Sequence, residues 1–227
     1  MSSLNDRVAR FWDEASGEFD AEPDHGLRDP AVREAWARRL RAWLPAVPAD
    51  VLDLGCGTGS LALLAIEAGH RVVGVDLSPR MVELARAKLG PAATVLVGAA
   101  GDPPVGERRF DAVLVRHVLW TLPAPTKVLA RWADLLRPGG RLVLVEGRWA
   151  GAEDARPYVE GLEGLPWPGG VSAAVLAAAV APLTRRHRVE RLDDPALWGR
   201  PIADERYALI AEVSGARPAP PPPAAGR

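Results

Sequence analysis

Five short apolar runs between residues 51 and 146, each parted from the next by a turn-rich or helical segment, restrict this chain to an α/β fold. The runs are Val51–Leu54, Arg71–Asp76, Thr94–Val97, Phe110–Val115 and Arg141–Glu146. Strands this apolar must be buried on both faces, which requires a parallel sheet with helices packed on each side. The intervening pattern supplies them. Leu61–Ala68 reads as a helix closed by Gly69, and Ser78-Pro79 starts one that ends near Gly90-Pro91. Another follows Pro123 and runs to Leu136, before a turn at Arg137-Pro138-Gly139-Gly140.

The flanks differ. Leu4, Val8, Phe11, Trp12, Ala15 and Phe19 lie close to helical spacing. After the turn-rich segment 22–28, Asp29-Pro30 is an N-cap followed by proline at the first helical position, opening a helix to about Leu44. Beyond Gly147 come a Gly/Pro-rich loop over Gly161–Gly170, a helix over Val171–Ala181, and two late strands at about His187–Leu192 and Arg206–Val213. The organisation expected is a helical segment over 1–48, an α/β domain over 49–214, and a disordered Pro/Ala-rich tail over 215–227.

Composition narrows the function classes. Lys and Arg total 28 against 29 Asp and Glu, for a formal charge of -1, so no net field draws the chain to nucleic acid or an anionic membrane. Only Lys88 and Lys127 are lysines, and the arginine-rich remainder reads as composition bias rather than phosphate recognition. The single cysteine, Cys56, excludes an intramolecular disulfide and a cysteine zinc cluster. No apolar run approaches the ~20 residues of a membrane helix, and the N-terminus lacks a signal peptide's apolar core. A cytoplasmic protein without metal is expected; oligomeric state is not legible, and a homodimer is compatible.

The chemistry concentrates at the first strand-to-helix loop, Gly55-Cys56-Gly57-Thr58-Gly59. Glycines there let the backbone turn sharply and let a ligand come close. Asp53 precedes the loop and Asp76 ends the second strand, where an acid can accept both hydroxyls of a ribose. A dinucleotide site would instead show G-x-G-x-x-G. Here the spacing is G-x-G-x-G, with an acid before the first glycine.

Val51–Gly59 resembles motif I of class I methyltransferases that use S-adenosylmethionine. The resemblance continues through Gly74–Met81, Phe110–Val113 and Leu135–Leu142, covering roughly residues 50–146, and is closest to the small-molecule type related to ubiquinone and menaquinone methyltransferases. It implies a doubly wound, Rossmann-like seven-stranded sheet with the last strand antiparallel, and an N-terminal helical lid. It implies further that Gly55, Cys56, Gly57, Thr58 and Gly59 line the methionine end of S-adenosylmethionine, with Asp53 nearby. Asp76 would hold the ribose, and Leu77 and Met81 would flank the adenine. The family's usual acid after the third strand is replaced by Ala99, leaving Ala99 and Ala100 to hold adenine through backbone and packing, or Asp102 to substitute.

Methyl transfer from a sulfonium needs alignment, exclusion of water and, for some acceptors, removal of a proton. Arg116 and His117 follow the fourth strand, beside the cofactor in relatives, and His117 is a candidate general base. The competing role for His117 is packing against the cofactor. His25 lies in the lid region, as a second candidate or merely part of a turn. Trp12, Trp120 and Trp149 fall where an apolar or aromatic acceptor should sit, and Glu146 is placed to hold a polar group of it. Trp36, Trp43 and Trp132 fall at core spacing. The expected function is methylation of a small molecule, with a non-catalytic S-adenosylmethionine-binding protein as the alternative. No basic channel or Asn-Pro-Pro-Tyr-type motif supports a nucleic acid acceptor.

Overall fold

The computed structural model describes residues 3–149, 159 and 164–214. Its first three helices are α1 (Leu4–Phe19), the one-turn α2 (Pro23–Gly26) and α3 (Pro30–Trp43). The α/β part then runs β1 (Asp50–Leu54), α4 (Ser60–Glu67), β2 (Arg71–Asp76), α5 (Pro79–Leu89), β3 (Ala93–Val97), β4 (Phe110–Arg116), α6 (Pro125–Asp134), β5 (Leu136–Arg148), α7 (Ala173–Val180), β6 (Thr184–Arg191) and β7 (Glu205–Val213). The caps read from sequence are present. Asp29 Oδ1 accepts from the N–H groups of Ala31 and Val32 at 2.7 and 3.3 Å, and Ser78 Oγ accepts from that of Met81 at 3.0 Å.

One seven-stranded sheet results, in the order β3-β2-β1-β4-β5-β7-β6. The first five strands are parallel, and β7 runs antiparallel to both β5 and β6. The expected doubly wound sheet is therefore what the chain forms. A strand such as Val51–Leu54, buried on both faces, is stable only under helices on both sides. One core joins α3, α4 and α5 to the sheet through Trp36, Trp43, Leu61, Val82 and Leu89. The other packs α6 and α7 on the opposite face through Leu129, Trp132, Leu176 and Val180.

Two boundaries differ from expectation. The turn at Arg137–Gly140 lies inside β5, because Phe110 pairs with Leu136 and the register then slips so that Ala112 pairs with Arg141. The irregularity keeps the strand continuous across residues whose Pro and Gly suggest a break. Strand β6 begins at Thr184, ahead of the expected His187. The tail over 215–227 and residues 161–163 of the Gly161–Gly170 loop lie outside the described residues. Among the described residues, no helix is long and apolar enough to cross a membrane, and no group of three or more His, Cys, Asp or Glu is placed to hold a metal.

Strand order reverses between β1 and β4. In open α/β sheets the crevice at the carboxyl ends of such a pair is where ligands bind.

Candidate active site

A cavity opens at that point, floored by the ends of β1, β2 and β4 and covered by α1. Asp53, Gly55, Cys56, Gly57 and Thr58 line it from β1 and its loop, and Asp76, Leu77 and Met81 from the end of β2 and α5. Ala99, Ala100, Arg116 and His117 close two further sides, and Trp12 and His25 face it from the N-terminal helices. Fourteen of the residues singled out from sequence are thus neighbours in space. Gly59 is not among the lining residues. It enters α4 at φ +82°, where an added Cβ would come within 3.1 Å of Leu89. Its glycine serves the packing of α4 on α5.

The loop is held by backbone and by one acid. The N–H groups of Gly55 and Cys56 donate to Val75 O at 2.8 and 3.1 Å. Asp76 Oδ2 accepts from Gly57 N at 2.8 Å and Oδ1 from Ser78 N at 2.9 Å. Gly55 has φ +68°, and a Cβ there would lie 2.4 Å from Val118 Cγ2. Only glycine fits. Burial pushes the Cys56 thiol far up, and Asp53 and Asp76 add to that, so the cysteine is a small uncharged filler and not a nucleophile.

Asp53 is the strained member. It is buried, its Oδ2 has no hydrogen-bond partner, and burial pushes it up to about 7 against the pull of Arg116. Because the folded value lies above the ordinary 3.8, the group favours folding below about pH 4, and that benefit is lost as pH rises through about 7. Asp53→Asn should therefore melt higher than the parent, by a margin that is larger at pH 8 than at pH 5. Equal melting temperatures at pH 8 in thermal scans without ligand would overturn this.

Arg116 is buried, donates Nη1 to Asp24 O at 2.5 Å and stands 5.2 Å over the Trp36 ring. It brings a positive charge beside Asp53. Ala99 and Ala100 are seated by Trp132, whose indole N–H donates to Ala100 O at 2.7 Å. Asp102 does not substitute for the missing acid. Its side chain is 87% exposed and faces Arg131 at 3.6 Å.

His25 stacks on Phe19, with centroids 4.3 Å apart. Burial and then Arg116 hold it below its ordinary value, against the pull of Asp24 and Glu22. His117 adopts φ +58°, a rare conformation for a residue with a side chain, directly after β4. Its N–H still donates to Val145 O at 3.0 Å, so the strand pairing runs right up to the turn.

Three residues expected against the acceptor stand behind His117 instead. Glu146 has no exposed side-chain surface, because the turn after β4 folds onto it, with Val118 N and Leu119 N both donating to Oε1 at 3.0 Å. Trp149 packs edge-on against His117 at 5.5 Å and against Trp120 at 5.4 Å. Trp120 donates its indole N–H to His117 O at 2.8 Å. None of the three is among the lining residues.

Several site residues escaped the sequence reading. Phe19, Val8 and Asn5 of α1 line the cavity. Asp13 and Asp20 fasten that helix down. Asp13 Oδ1 accepts from Ser78 Oγ at 2.5 Å and from Arg80 N at 3.0 Å, while Asp20 accepts from Thr58 Oγ1 at 2.5 Å and Lys88 Nζ at 2.9 Å. Lys88 also donates to Thr58 and Ser60, both at 2.9 Å. The available signals were two acids seven residues apart, hence on one helix face, and a rare lysine on α5.

Residues 52–144 match a family model described as a methyltransferase domain. An uncharacterised methyltransferase of Mycobacterium tuberculosis (strain H37Rv) is 44% identical over 102 residues, covering 45% of this chain and 41% of the relative. A demethylmenaquinone methyltransferase of Clavibacter sepedonicus is 32% identical over 149 residues, covering 64% and 60%. The chain thus spans less than two thirds of the length of these curated relatives. Among solved structures, the Burkholderia thailandensis 1,6-didemethyltoxoflavin-N1-methyltransferase, with its substrate and S-adenosylhomocysteine bound, superposes with a TM-score of 0.63 at 23% identity, covering 94% of this chain and 92% of its own. The Haemonchus contortus phosphoethanolamine N-methyltransferase 2, in complex with S-adenosyl-L-methionine, has a TM-score of 0.62 at 18% identity, covering 81% and 53%. At these identities the structural likeness establishes a shared fold.

Proposed function

We propose that the protein transfers a methyl group from S-adenosylmethionine to a small, largely apolar or aromatic molecule, a reading that starts from the match of residues 52–144 to a methyltransferase domain. The observation that carries the reading is the charge pattern of the cavity. S-adenosylmethionine has an ammonium, a carboxylate and a sulfonium. Asp53 offers a buried carboxylate oxygen without a partner, and Arg116 offers a guanidinium beside it. Together they suit the zwitterionic end of such a ligand.

The remaining walls fit the rest. Asp76 uses one lone pair of each oxygen on backbone N–H groups and keeps capacity for two ribose hydroxyls. Leu77, Met81, Ala99 and Ala100 make an apolar slot for a planar base. Bound there, S-adenosylmethionine supplies a methyl group on positively charged sulfur, open to displacement by an electron pair of the acceptor. Helix α1 acts as a lid, and Trp12, Phe19 and Val8 exclude water and favour an apolar acceptor. His117 and His25 are the polar groups nearest the acceptor's space.

Titration calorimetry with S-adenosylmethionine should give one site per chain, and S-adenosylhomocysteine should appear when a panel of aromatic acceptors is added. Absence of binding would overturn the reading. Binding without turnover on any acceptor would favour a non-catalytic S-adenosylmethionine-binding protein.

A further inference from the structure

Three polar atoms in and next to the cavity wall are buried without any partner: Nδ1 and Nε2 of His117, which lines the cavity, and Oε2 of Glu146, which does not. Burying a donor or acceptor unpaired destabilises a fold, so a fold that leaves three together spends stability on something other than folding. They are not scattered. Glu146 Oε2 lies 4.0 Å from His117 Nδ1, and the other carboxylate oxygen is already anchored by the N–H groups of Val118 and Leu119. The carboxyl is thereby fixed in one orientation, with its free oxygen turned to the imidazole. On its other side His117 borders the cavity.

We propose that Glu146 is a positioning residue that selects the tautomer and charge of His117, making the pair a base for an acceptor with an ionisable O–H or S–H. This deepens the methyltransferase reading and rests on it. His117 alone is ill suited to take a proton. Burial holds it well below its ordinary value, and Arg116, Arg206 and His25 all face it with charge of the same sign as an imidazolium. Arg206 is neutralised in part by Asp204, to which it donates twice at 2.9 Å, and is wedged between Trp149 and Trp198. A counter-charge is what the imidazole lacks, and among the described residues Glu146 is the acid placed 4.0 Å away to supply it.

Glu146 is itself pushed up to about 8 by burial, with its two backbone hydrogen bonds opposing, so it is mostly neutral at pH 7. Tyr207, beside it, is raised far by burial, stays protonated and donates to Val171 O at 2.8 Å. While Glu146 is neutral, closing the 4.0 Å gap lets its O–H donate to Nδ1, and Nε2 carries the ring proton. Once Glu146 ionises, Nδ1–H becomes the donor and Nε2 is left with its lone pair. In the reaction the acceptor's O–H or S–H bond breaks, its proton moves to Nε2, and its electron pair forms the bond to the methyl carbon as the carbon–sulfur bond of the donor breaks onto sulfur. The pair then holds an imidazolium and a carboxylate. Arg116 and Arg206 also define the acceptor's charge class. They favour a group that becomes an anion and disfavour an ammonium.

Glu146→Gln separates this role from a purely structural one. The amide oxygen can keep both backbone hydrogen bonds, but the NH2 donates toward Nδ1 at every pH and locks the unproductive tautomer. Ring-nitrogen NMR of ¹⁵N-histidine protein without any methyl donor is the first readout, with His117→Gln assigning the signal among the four histidines. The His117 proton should move from Nε2 to Nδ1 as pH rises through about 8 in the parent and should not move in Glu146→Gln. With 2-naphthol and 2-naphthalenethiol as probe acceptors, parent kcat should climb over the same range. In the variant it should be flat and about 100-fold lower, the scale of general-base loss, with the affinity for S-adenosylmethionine unchanged. A tautomer indifferent to pH in the parent, or a variant that retains the parent's tautomer change or its rise in kcat, would overturn the proposal. Failure of both naphthalene probes with the parent bears on the methyltransferase reading alone, since the ring spectra need neither donor nor acceptor.

Discussion

Asp76→Ala should raise the dissociation constant for S-adenosylmethionine by about 100-fold while leaving the fold intact. Two charge-assisted hydrogen bonds to ribose hydroxyls at ~1.5 kcal/mol each amount to roughly two decades of affinity. The loss has a second source. Asp76 ties the glycine loop, through Gly57 N, to the start of α5, through Ser78 N. Without the carboxylate both N–H groups lose their acceptor, and the loop no longer presents a fixed surface. Asp76→Asn keeps one acceptor oxygen and should fall between, at about 10-fold. Calorimetric titration beside a far-ultraviolet circular dichroism spectrum checks both. Affinity unchanged in the alanine variant would mean that the ribose is held elsewhere.

Trp36→Ala should carry the largest cost to stability, about 4 kcal/mol by the usual range for a deleted core aromatic. Trp36 is fully buried, donates its indole N–H to Leu197 O at 2.7 Å, and meets Trp43 and Trp198 edge-on at 6.3 and 5.5 Å. Truncation leaves a cavity, an unpaired carbonyl, and the Trp43 and Trp198 rings each short of one edge-on contact. For a domain of this size the melting temperature should drop by about 10 °C. The ring also lies beneath the Arg116 guanidinium. At temperatures where the variant is still folded, S-adenosylmethionine should therefore bind more weakly, so that stability and affinity fall together. A variant that melts within 2–3 °C of the parent, equivalent to about 1 kcal/mol, would show that this cluster does not hold α3 to the sheet.

How much of this was legible in the sequence depends on the distance over which a residue acts. The strands and the donor loop could be read because their determinants are local: apolar runs, a proline after a capping residue, glycines at fixed spacing. Asp53, Asp76 and Arg116 sit at strand ends, and in a parallel sheet all strand ends point the same way, so placing them together needed only the topology. Glu146 could be assigned to a strand end by the same logic. Its partner could not, because the turn that buries it belongs to residues 118–119, just after the neighbouring strand, and depends on an unusual φ at His117. The same holds for Asp13, Asp20 and Lys88, whose contacts join positions 28 to 68 residues apart. Periodicity says which face of α1 is apolar, but not what its polar face will grip. The slip inside β5 was hidden for the opposite reason. Pro138, Gly139 and Gly140 are strong local turn signals, and the pairing with β4 overrode them.

The grip of α1 has a kinetic meaning. Its four hydrogen bonds through Asp13 and Asp20 end on Ser78, Arg80, Thr58 and Lys88, which belong to the segments that frame the glycine loop. The gate and the floor of the cavity are one hydrogen-bonded unit. On the proposed function, a cofactor seated beneath α1 is held in by the same bonds that hold the helix down. The rate at which it enters and leaves should then follow how often Asp13 and Asp20 let go.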